Sequence, residues 1–169
     1  MKSIDIYAIE YSSYNEISNT WTFDVPKLFY KYDNARIYCE QYGRRIPSAK
    51  YPELLYFVSF DSNYTEYTAH KLMLLTGLKM YPVDKNRDLY VVGCAFRDLE
   101  GGGMCYELQK TVYLTYESAR SFCESRSIDS SEAGVPMKFI GKNVDLEEVF
   151  YIYKLNLDDY EEEESDEKL

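Results

Sequence analysis

LFYKYDNARIYCE at residues 28–40 and VYLTYESARSFCE at residues 112–124 are two copies of one stretch, aligned without a gap at an offset of 84 residues. Five positions are identical and five more are chemically alike. The identical positions of the first copy are Tyr32, Ala35, Arg36, Cys39 and Glu40. A match of this extent within one chain predicts an internal duplication. The fold is therefore expected to consist of two related halves.

Each copy is typical of a strand that runs into a helix. The first residues of each copy are aromatic or aliphatic, as in a strand. After Tyr32 the residues Ala35, Tyr38, Cys39 and Tyr42 fall at i, i+3, i+4 and i+7, which is one stripe of a helix. Thr115 is placed to cap the second helix, and Gly43 is placed to end the first. Cys39 and Cys123 fall on the apolar stripes, so we expect both to be reduced core residues.

The repeat extends upstream of the two copies. Residues 5–9 (DIYAI) match residues 88–92 (DLYVV) at an offset of 83. Strand-type patterns cover residues 3–11, 20–25, 88–92 and 104–108, with turn-type residues between the members of each pair. The predicted unit is strand, turn, strand, helix, present twice and related by a pseudo-twofold axis. Such a unit predicts an α+β fold.

Downstream of the copies, three apolar stretches predict further helices. They are residues 52–60 (PELLYFVSF), 69–78 (AHKLMLLTGL) and 144–155 (VDLEEVFYIYKL). The expected organisation is a single globular domain over residues 1–157, built of two repeats at about 1–84 and 85–157. An acidic tail at residues 158–169 follows it.

The acidic charge is concentrated at the end of the chain. Residues 158–169 contain eight acidic residues and one lysine, which accounts for −7 of the net charge of −10 and leaves −3 for the rest. A nucleic-acid mimic needs carboxylates over its whole surface, so the nearly balanced folded part argues against that class. Direct duplex binding needs clustered lysine and arginine, and the sequence has only short basic clusters. We therefore expect no direct nucleic-acid binding.

The sequence shows no targeting signal, and this predicts a cytoplasmic protein. Met1 is followed by KSIDIYAIEY, which has no apolar run of signal-peptide length, and no stretch is long enough to span a bilayer. The four cysteines are then expected to be thiols. For a chain encoded by a phage or a virus, the compartment would be the host cytoplasm.

One stretch carries a family resemblance. The residues that carry it are Ala35, the aromatic-cysteine pair Tyr38-Cys39, Gly43, the run Arg44-Arg45-Ile46-Pro47, and Glu53. In this order they resemble the helix-loop signature of the C-type-lectin-like superfamily, in the variant of formylglycine-generating-enzyme-type domains. The resemblance covers residues 35–54, implies a C-type-lectin-like fold as the alternative, and carries over no catalytic residue. The composition also resembles that of orphan accessory proteins of large phages and viruses.

Motifs for catalysis are sparse. His70 is the only histidine, which argues against His-rich metal sites and most imidazole bases, and we expect it on the surface of a helix. The cysteines lack the two-residue spacing of a zinc knuckle, and the glycines at 101–103 lack the lysine and helix of a P-loop. We expect no catalytic residue, no metal and no cofactor, and hence a non-enzymatic protein.

Tyrosine is the compositional anomaly, with nineteen copies. Those in turn-rich context are expected to be exposed, and exposed tyrosines favour protein interfaces. The leading hypothesis is a protein-protein interaction module, an inhibitor, adaptor or structural accessory protein, whose acidic tail steers it to a basic partner surface. The candidate partner-binding residues are Tyr11, Tyr14, Tyr64, Tyr67, Asp158, Asp159, Glu161, Glu162, Glu163 and Glu164.

A second hypothesis is a lectin-like or small-ligand-binding domain with a cleft between the repeats. In it, Arg36 and Arg120 would be symmetric anion-binding groups. The competing interpretation is that each arginine forms a salt bridge with an acidic residue on its own helix. The sequence leaves these alternatives open, together with the possibility of a homo-oligomer.

Overall fold

The computed structural model describes residues 2–52, 54–76, 87–97, 100, 103–129, 137–141 and 147–159. Over these residues it contains two helices and eleven strands. In chain order they are β1 (Lys2–Asn15), β2 (Thr20–Phe29), α1 (Tyr32–Tyr42), β3 (Gly43–Arg45), β4 (Leu55–Ser59), β5 (Thr65–Thr76), β6 (Leu89–Arg97), β7 (Met104–Leu108), β8 (Thr111–Val112), α2 (Tyr116–Ser125), β9 (Ser127–Asp129), β10 (Met137–Gly141) and β11 (Val149–Leu155).

The strands form two sheets, and the broad α+β class is confirmed. Sheet A has the order β2-β1-β5-β4-β3, with β8 beside β5, and sheet B has the order β7-β6-β11-β10-β9. Apart from the parallel pair of β5 and β8, the paired strands within each sheet are antiparallel. Taken in chain order without β8, the second half therefore repeats the strand order of the first. The four strands predicted at residues 3–11, 20–25, 88–92 and 104–108 are confirmed as β1, β2, β6 and β7.

The core has three parts. A central cluster lies between the two sheets, and its buried members are Ile6, Ala8, Val25, Leu28, Leu72, Leu74, Leu89, Val91, Val112, Tyr153 and Leu157. A second cluster joins α1 to sheet A through Ala35 and Cys39, and a third joins α2 to sheet B through Ala119 and Cys123. Each sheet thus has an inner face toward the other sheet and an outer face toward its helix.

The predicted helix stripes are confirmed at Ala35, Cys39, Ala119 and Cys123, which are buried, whereas Tyr42 at the end of the first stripe is exposed. Cys39 and Cys123 are fully buried and free, and burial raises the pKa of each thiol to about 12, so both stay protonated at neutral pH. Thr115 caps α2, because its hydroxyl accepts a hydrogen bond from the Ser118 amide at 3.2 Å. Neither described helix has the length and apolar character needed to cross a membrane.

The start of α1 is capped from the far end of the chain. Lys31 occupies the position that corresponds to Thr115, and its side chain makes no cap. The carboxylate of Asp159 binds at the start of α1 instead, at the amide of Lys31 and at the amide before it. It accepts hydrogen bonds from the Tyr30 amide at 2.5 Å, the Lys31 amide at 3.0 Å and the Asn34 side chain at 2.7 Å. A carboxylate at this end is also attracted by the positive end of the helix dipole.

The residues just before Asp159 are also part of the fold. Leu157 is buried and forms a parallel bridge with Leu28, and the Asp158 amide donates to the Leu28 carbonyl oxygen at 2.9 Å. The other half has the same contact, because Val112 of β8 pairs in parallel with Leu74 of β5. Thus the segment before each helix lies beside the end of the last strand of the opposite half.

The three stretches predicted as helices are strands, so those predictions were wrong. Residues 52–60, 69–78 and 144–155 contain β4, most of β5, and β11, while residues 53, 77–78 and 144–146 lie outside the described part. β5 and β11 are central strands with apolar residues on both faces, as Ala69 and Leu72 illustrate. Consecutive apolar residues of this kind also satisfy helical spacing. His70, expected on a helix, therefore lies on β5.

Gly43 ends α1, but not through a left-handed cap. Its φ of −156° is extended, and it is the first residue of β3. A Cβ at this position would lie 2.5 Å from the Val58 carbonyl oxygen, so close packing against β4 requires the glycine.

Asp159→Ala is expected to lower the free energy of unfolding by about 1 kcal/mol, because it removes the cap of α1. Asp158→Ala is the matched control, since it removes only an exposed ion pair with Lys27 at 3.2 Å. Urea denaturation followed by circular dichroism measures both. Equal effects of the two substitutions would contradict the capping role.

Gly43→Ala is expected to destabilise the fold by about 1 to 3 kcal/mol, because the new methyl group overlaps the β4 backbone. Gly103→Ala serves as the control, since a Cβ there meets nothing within 4 Å. The urea midpoints of the two variants provide the comparison, and an unchanged midpoint for Gly43→Ala would show that β3 and β4 are not this close.

Candidate binding surface

The β1–β2 hairpin is longer than its counterpart in sheet B. β1 and β2 have 14 and 10 residues, whereas β6 and β7 have 9 and 5. Asn15 organises the hairpin turn by accepting hydrogen bonds from the amides of Ile17 and Ser18, and Asn19 adopts a left-handed φ of 53°. Because the strands of sheet A run on past the end of sheet B, part of the inner face of the hairpin has no sheet opposite it.

Five aromatic rings follow one another from the residue before β5, across the inner face of the hairpin, to β7 of sheet B. We call Tyr64, Tyr14, Trp21, Phe23 and Tyr106 the aromatic row. The successive ring centroids are 6.1, 5.1, 5.9 and 4.5 Å apart, and the last two pairs are stacked within about 6° of parallel. Side chains alternate along a strand, so Trp21 and Phe23 share the face that meets Tyr106 of sheet B. The row therefore runs from the hairpin tip to the contact between the sheets.

The outer end of the aromatic row is open to solvent. Tyr64 is 47% exposed and Trp21 is 38% exposed, while Ile17 in the turn is 99% exposed. Tyr64 is held in place on two sides. Its carbonyl oxygen accepts from the Tyr14 amide at 3.0 Å, and its hydroxyl bonds to the Glu16 carboxylate, which raises the pKa of Tyr64. The exposed rings are thus fixed in position.

The other two candidate tyrosines lie on the opposite face of sheet A. Tyr11 and Tyr67 are cross-strand partners with ring centroids 5.4 Å apart, and Tyr67 stacks on Tyr42 of α1 at 5.4 Å. Tyr42 in turn contacts Tyr38 at 5.0 Å. Both candidates are half-buried, and Tyr67 helps to pack α1 on the sheet. The structure brings Tyr14 and Tyr64 together, and it brings Tyr11 and Tyr67 together, on separate surfaces.

The inner end of the aromatic row is polar and largely buried. The hydroxyl groups of Tyr106 and Tyr153 are hydrogen-bonded to each other. Burial raises the pKa of both, and the Glu10 carboxylate adds to the shift of each, so both hydroxyls stay protonated. Tyr106 lies directly over Gly93, where a Cβ would be 2.1 Å from its hydroxyl oxygen. The glycine makes room for the ring.

Glu10 and His70 form the other polar contact at this place. The Nε2 atom of His70 lies 2.6 Å from a carboxylate oxygen of Glu10. At the offset of 83 Glu10 corresponds to Gly93, and His70, which pairs with Ala8, corresponds to Tyr153, which pairs with Val91. The two halves therefore differ in chemistry at this contact. Within the described ranges, no group of three or more His, Cys, Asp or Glu is placed to hold a metal ion.

The remaining sequence-predicted residues are placed as follows. Asp158 and Asp159, assigned to the tail by composition, lie against β2 and α1, and Glu161 to Glu164 lie outside the described residues. Arg36 pairs with Glu40 at 2.7 Å, and Arg120 pairs with Glu124 at 2.6 Å. The two helices cover the outer faces of different sheets, so the structure does not bring the two arginines together.

A pocket of about 390 Å³ lies on the outer face of sheet A. Tyr7, Tyr32, Tyr51 and Lys71 contribute to its lining, and Leu55 and Ala69 add apolar surface. Tyr7 and Tyr32 meet edge to face at 5.7 Å. The pocket belongs to the first half alone and does not lie between the repeats.

Trp21, Phe23, Tyr106 and Glu10 were missed as site residues. The alternation in TWTFDV at residues 20–25 places Trp21 and Phe23 on one face and could have identified them. The contact of Tyr106 with Phe23 depends on how the sheets pack, which no local pattern encodes. Glu10 and His70 are sixty residues apart in sequence, and only the register of β1 on β5 joins them.

Tyr106→Phe is expected to destabilise the protein by about 1 to 3 kcal/mol, because it leaves the buried Tyr153 hydroxyl without its partner. The double variant Tyr106→Phe/Tyr153→Phe should lose less than the sum of the single losses. Urea denaturation of the four proteins in this cycle measures the coupling, and strict additivity would contradict the hydrogen bond.

The stability of the proteins in this cycle should also depend differently on pH. The pKa of each tyrosine is raised above its unfolded value near 10, so its contribution to stability is present below that pH and is lost as the pH rises above it. The double phenylalanine variant should therefore lose stability less steeply above about pH 10.

Comparisons of this chain with protein-family models, with curated proteins and with solved structures found no match. The resemblance of residues 35–54 to the C-type-lectin-like superfamily stays a prediction. In the structure these residues form most of α1, β3 and the segment that leads to β4.

Proposed function

We propose that this chain is a non-enzymatic protein-protein interaction module, an inhibitor, adaptor or accessory protein of the cytoplasm, and that it docks on a basic partner through the aromatic row. The observation that carries the proposal is a pair of exposed rings, Trp21 on the β1–β2 hairpin and Tyr64 just before β5, both in contact with Tyr14. Rigid aromatic side chains give large contact area with little loss of conformational entropy.

The module is, on this proposal, an internal duplication. Three observations support it: the strand order is the same in both halves, the repeated stretches keep offsets of 83 and 84, and the contacts Leu28–Leu157 and Leu74–Val112 are reciprocal. Packing of the two inner faces about a pseudo-twofold axis accounts for all three. The first half then differs from the second mainly by its longer hairpin.

The charge around the aromatic row favours a basic partner. Glu16 bonds to Tyr64, and Glu66 bonds to the half-buried Tyr56, which lies on the same face of sheet A as the row. Residues 3–26 contain four carboxylates and no lysine or arginine. Asp5 is paired with Lys71 and Glu10 with His70, so the attraction rests on Glu16 and Asp24. Carboxylates at the rim of an aromatic contact attract a basic surface and raise the association rate. The acidic residues at 160–169 would add to this attraction over a longer range.

A second candidate function is small-ligand binding at the pocket beside α1. Its volume falls in the range of ligand sites, and three tyrosines give it flat apolar walls. This site would replace the cleft with Arg36 and Arg120, whose guanidinium groups are engaged by Glu40 and Glu124.

Affinity capture from a lysate of the organism that encodes the chain tests the interaction. The full chain should capture a stoichiometric basic protein at low salt, and the double variant Trp21→Ala/Tyr64→Ala should lose at least about tenfold in affinity, because it removes two exposed anchors. Tyr51→Ala is the matched control, as it removes an equally exposed tyrosine from the pocket. Loss of capture with Tyr51→Ala alone would move the interface to the pocket and contradict the proposal.

Two truncations separate the tail from the fold. Ending the chain after Asp159 keeps the α1 cap and removes the charges at 160–169, so association should slow and become less salt-dependent. Ending it after Leu157 also removes the cap and should lower stability in addition. An unchanged association rate for the longer truncate would contradict the steering role.

A further inference from the structure

The edges of the two sheets differ in length. The end strands are β2 and β3 in sheet A, and β7 and β9 in sheet B. β3 and β9 have three residues each and β7 has five, whereas β2 has ten. Short edges offer few free backbone groups to another chain, and long ones offer many. β2 is therefore the edge at which an added strand would gain most.

Only the second half of β2 is covered in the described structure. Leu157 and Asp158 lie beside Leu28, Pro26 has no amide hydrogen, and the Val25 amide donates to the carboxylate of Asp24 at 2.9 Å. Residues 20–24 pair with β1 on one side, and no described strand pairs with them on the other. Five residues correspond to an open edge of about 17 Å.

Residues 20–24 of β2 contain no lysine and no proline, and the irregularity in the pairing of β2 with β1 lies just beyond them, between Asp24 and Lys27. Soluble proteins place lysine, proline or a bulge on a long edge to prevent pairing with other chains. The first proline and lysine of β2 are Pro26 and Lys27, at the point where the C-terminal segment begins to cover the strand. β3, in contrast, contains Arg44 and Arg45. An edge without lysine or proline, beside exposed aromatic rings, is typical of a strand that receives a partner.

We propose that residues 20–24 of β2 accept an extended basic segment of the partner as an additional strand of sheet A. This inference rests on the proposed function and names the mode of that contact. Backbone hydrogen bonds to β2 supply the ladder, and Trp21 and Phe23 contact every second side chain of the added strand. Basic residues on the added strand would lie near the carboxylates of Glu16 and Asp24. Residues 3–26 contain no lysine or arginine that would repel them.

Residues 157–159 of the chain itself do not cover residues 20–24. They run parallel to β2 at Leu28 and continue to the start of α1, where Asp159 is bound. This direction leads away from residues 20–24. The residues after Asp159 are also acidic, and like charges would oppose pairing with Asp24 and Glu16.

The test uses the full chain and a short peptide of alternating lysine and valine as the probe. Amide hydrogen exchange, followed by NMR, should show alternate amides of residues 20–24 gaining protection when the peptide is added. The same peptide with every second amide N-methylated should bind at least about tenfold more weakly, because it cannot complete the ladder. A peptide with glutamate in place of lysine should bind weakest.

A pair of variants locates the contact. Thr22→Lys places a basic residue on the open edge and should weaken peptide binding at least about tenfold, whereas Ser121→Lys makes the same charge change on the exposed side of α2 and should not. Equal binding of the N-methylated peptide, no protection at millimolar peptide, or concentration-dependent protection from a second copy of the chain would overturn the proposal. Lysate capture that depends on Trp21 and Tyr64 but not on Thr22 would leave the proposed function standing and exclude the added strand.

Discussion

Both sheets must bury apolar side chains on both faces, and the rest of the structure depends on this constraint. The inner faces bury theirs against each other in the central cluster, and the outer faces bury theirs under α1 and α2. Neither half could leave its inner face open, since residues such as Leu74 and Leu89 are completely buried there. Each half therefore supplies the second layer that the other requires.

The reciprocal contacts at Leu28 and Val112 tie the two layers together by backbone pairing as well as by apolar packing. Each contact joins the segment before a helix to the end of the last strand of the opposite half. The helix positions are thus set partly from the other half. For α1 this dependence is direct, because Asp159 binds the Tyr30 and Lys31 amides at the helix start. Thr115 instead binds the Ser118 amide within the first turn of α2, so the two helix starts are held by different contacts.

The repeated stretch was enough to predict the two helices, and the strand-type patterns upstream of it predicted the hairpin that precedes each one. Those features depend on local periodicity and on turn residues, which a sequence displays. β5 and β11 could not be predicted in this way, because a strand buried on both faces has the apolar content of a helix. Of the four candidate tyrosines only Tyr64 is exposed, and Tyr14, Tyr11 and Tyr67 are half-buried. Tyr14 shares a face with Tyr64, whereas Tyr11 and Tyr67 lie on the opposite face, where Tyr67 stacks on Tyr42 of α1. Odd and even positions of one strand face opposite ways, and composition alone does not distinguish them.

The differences between the halves are more informative about function than their similarities. Where both halves carry the same chemistry, as at Cys39 and Cys123, the residues pack the fold. Where they diverge, the contact is between the sheets: Glu10 and His70 on one side correspond to Gly93 and Tyr153 on the other. The glycine admits Tyr106, and Tyr106 supports Phe23 by stacking at 4.5 Å. The exposed rings of Trp21 and Tyr64 are therefore connected through Phe23 to a contact that the same residues in both halves could not form, since a glutamate at position 93 would exclude the Tyr106 ring.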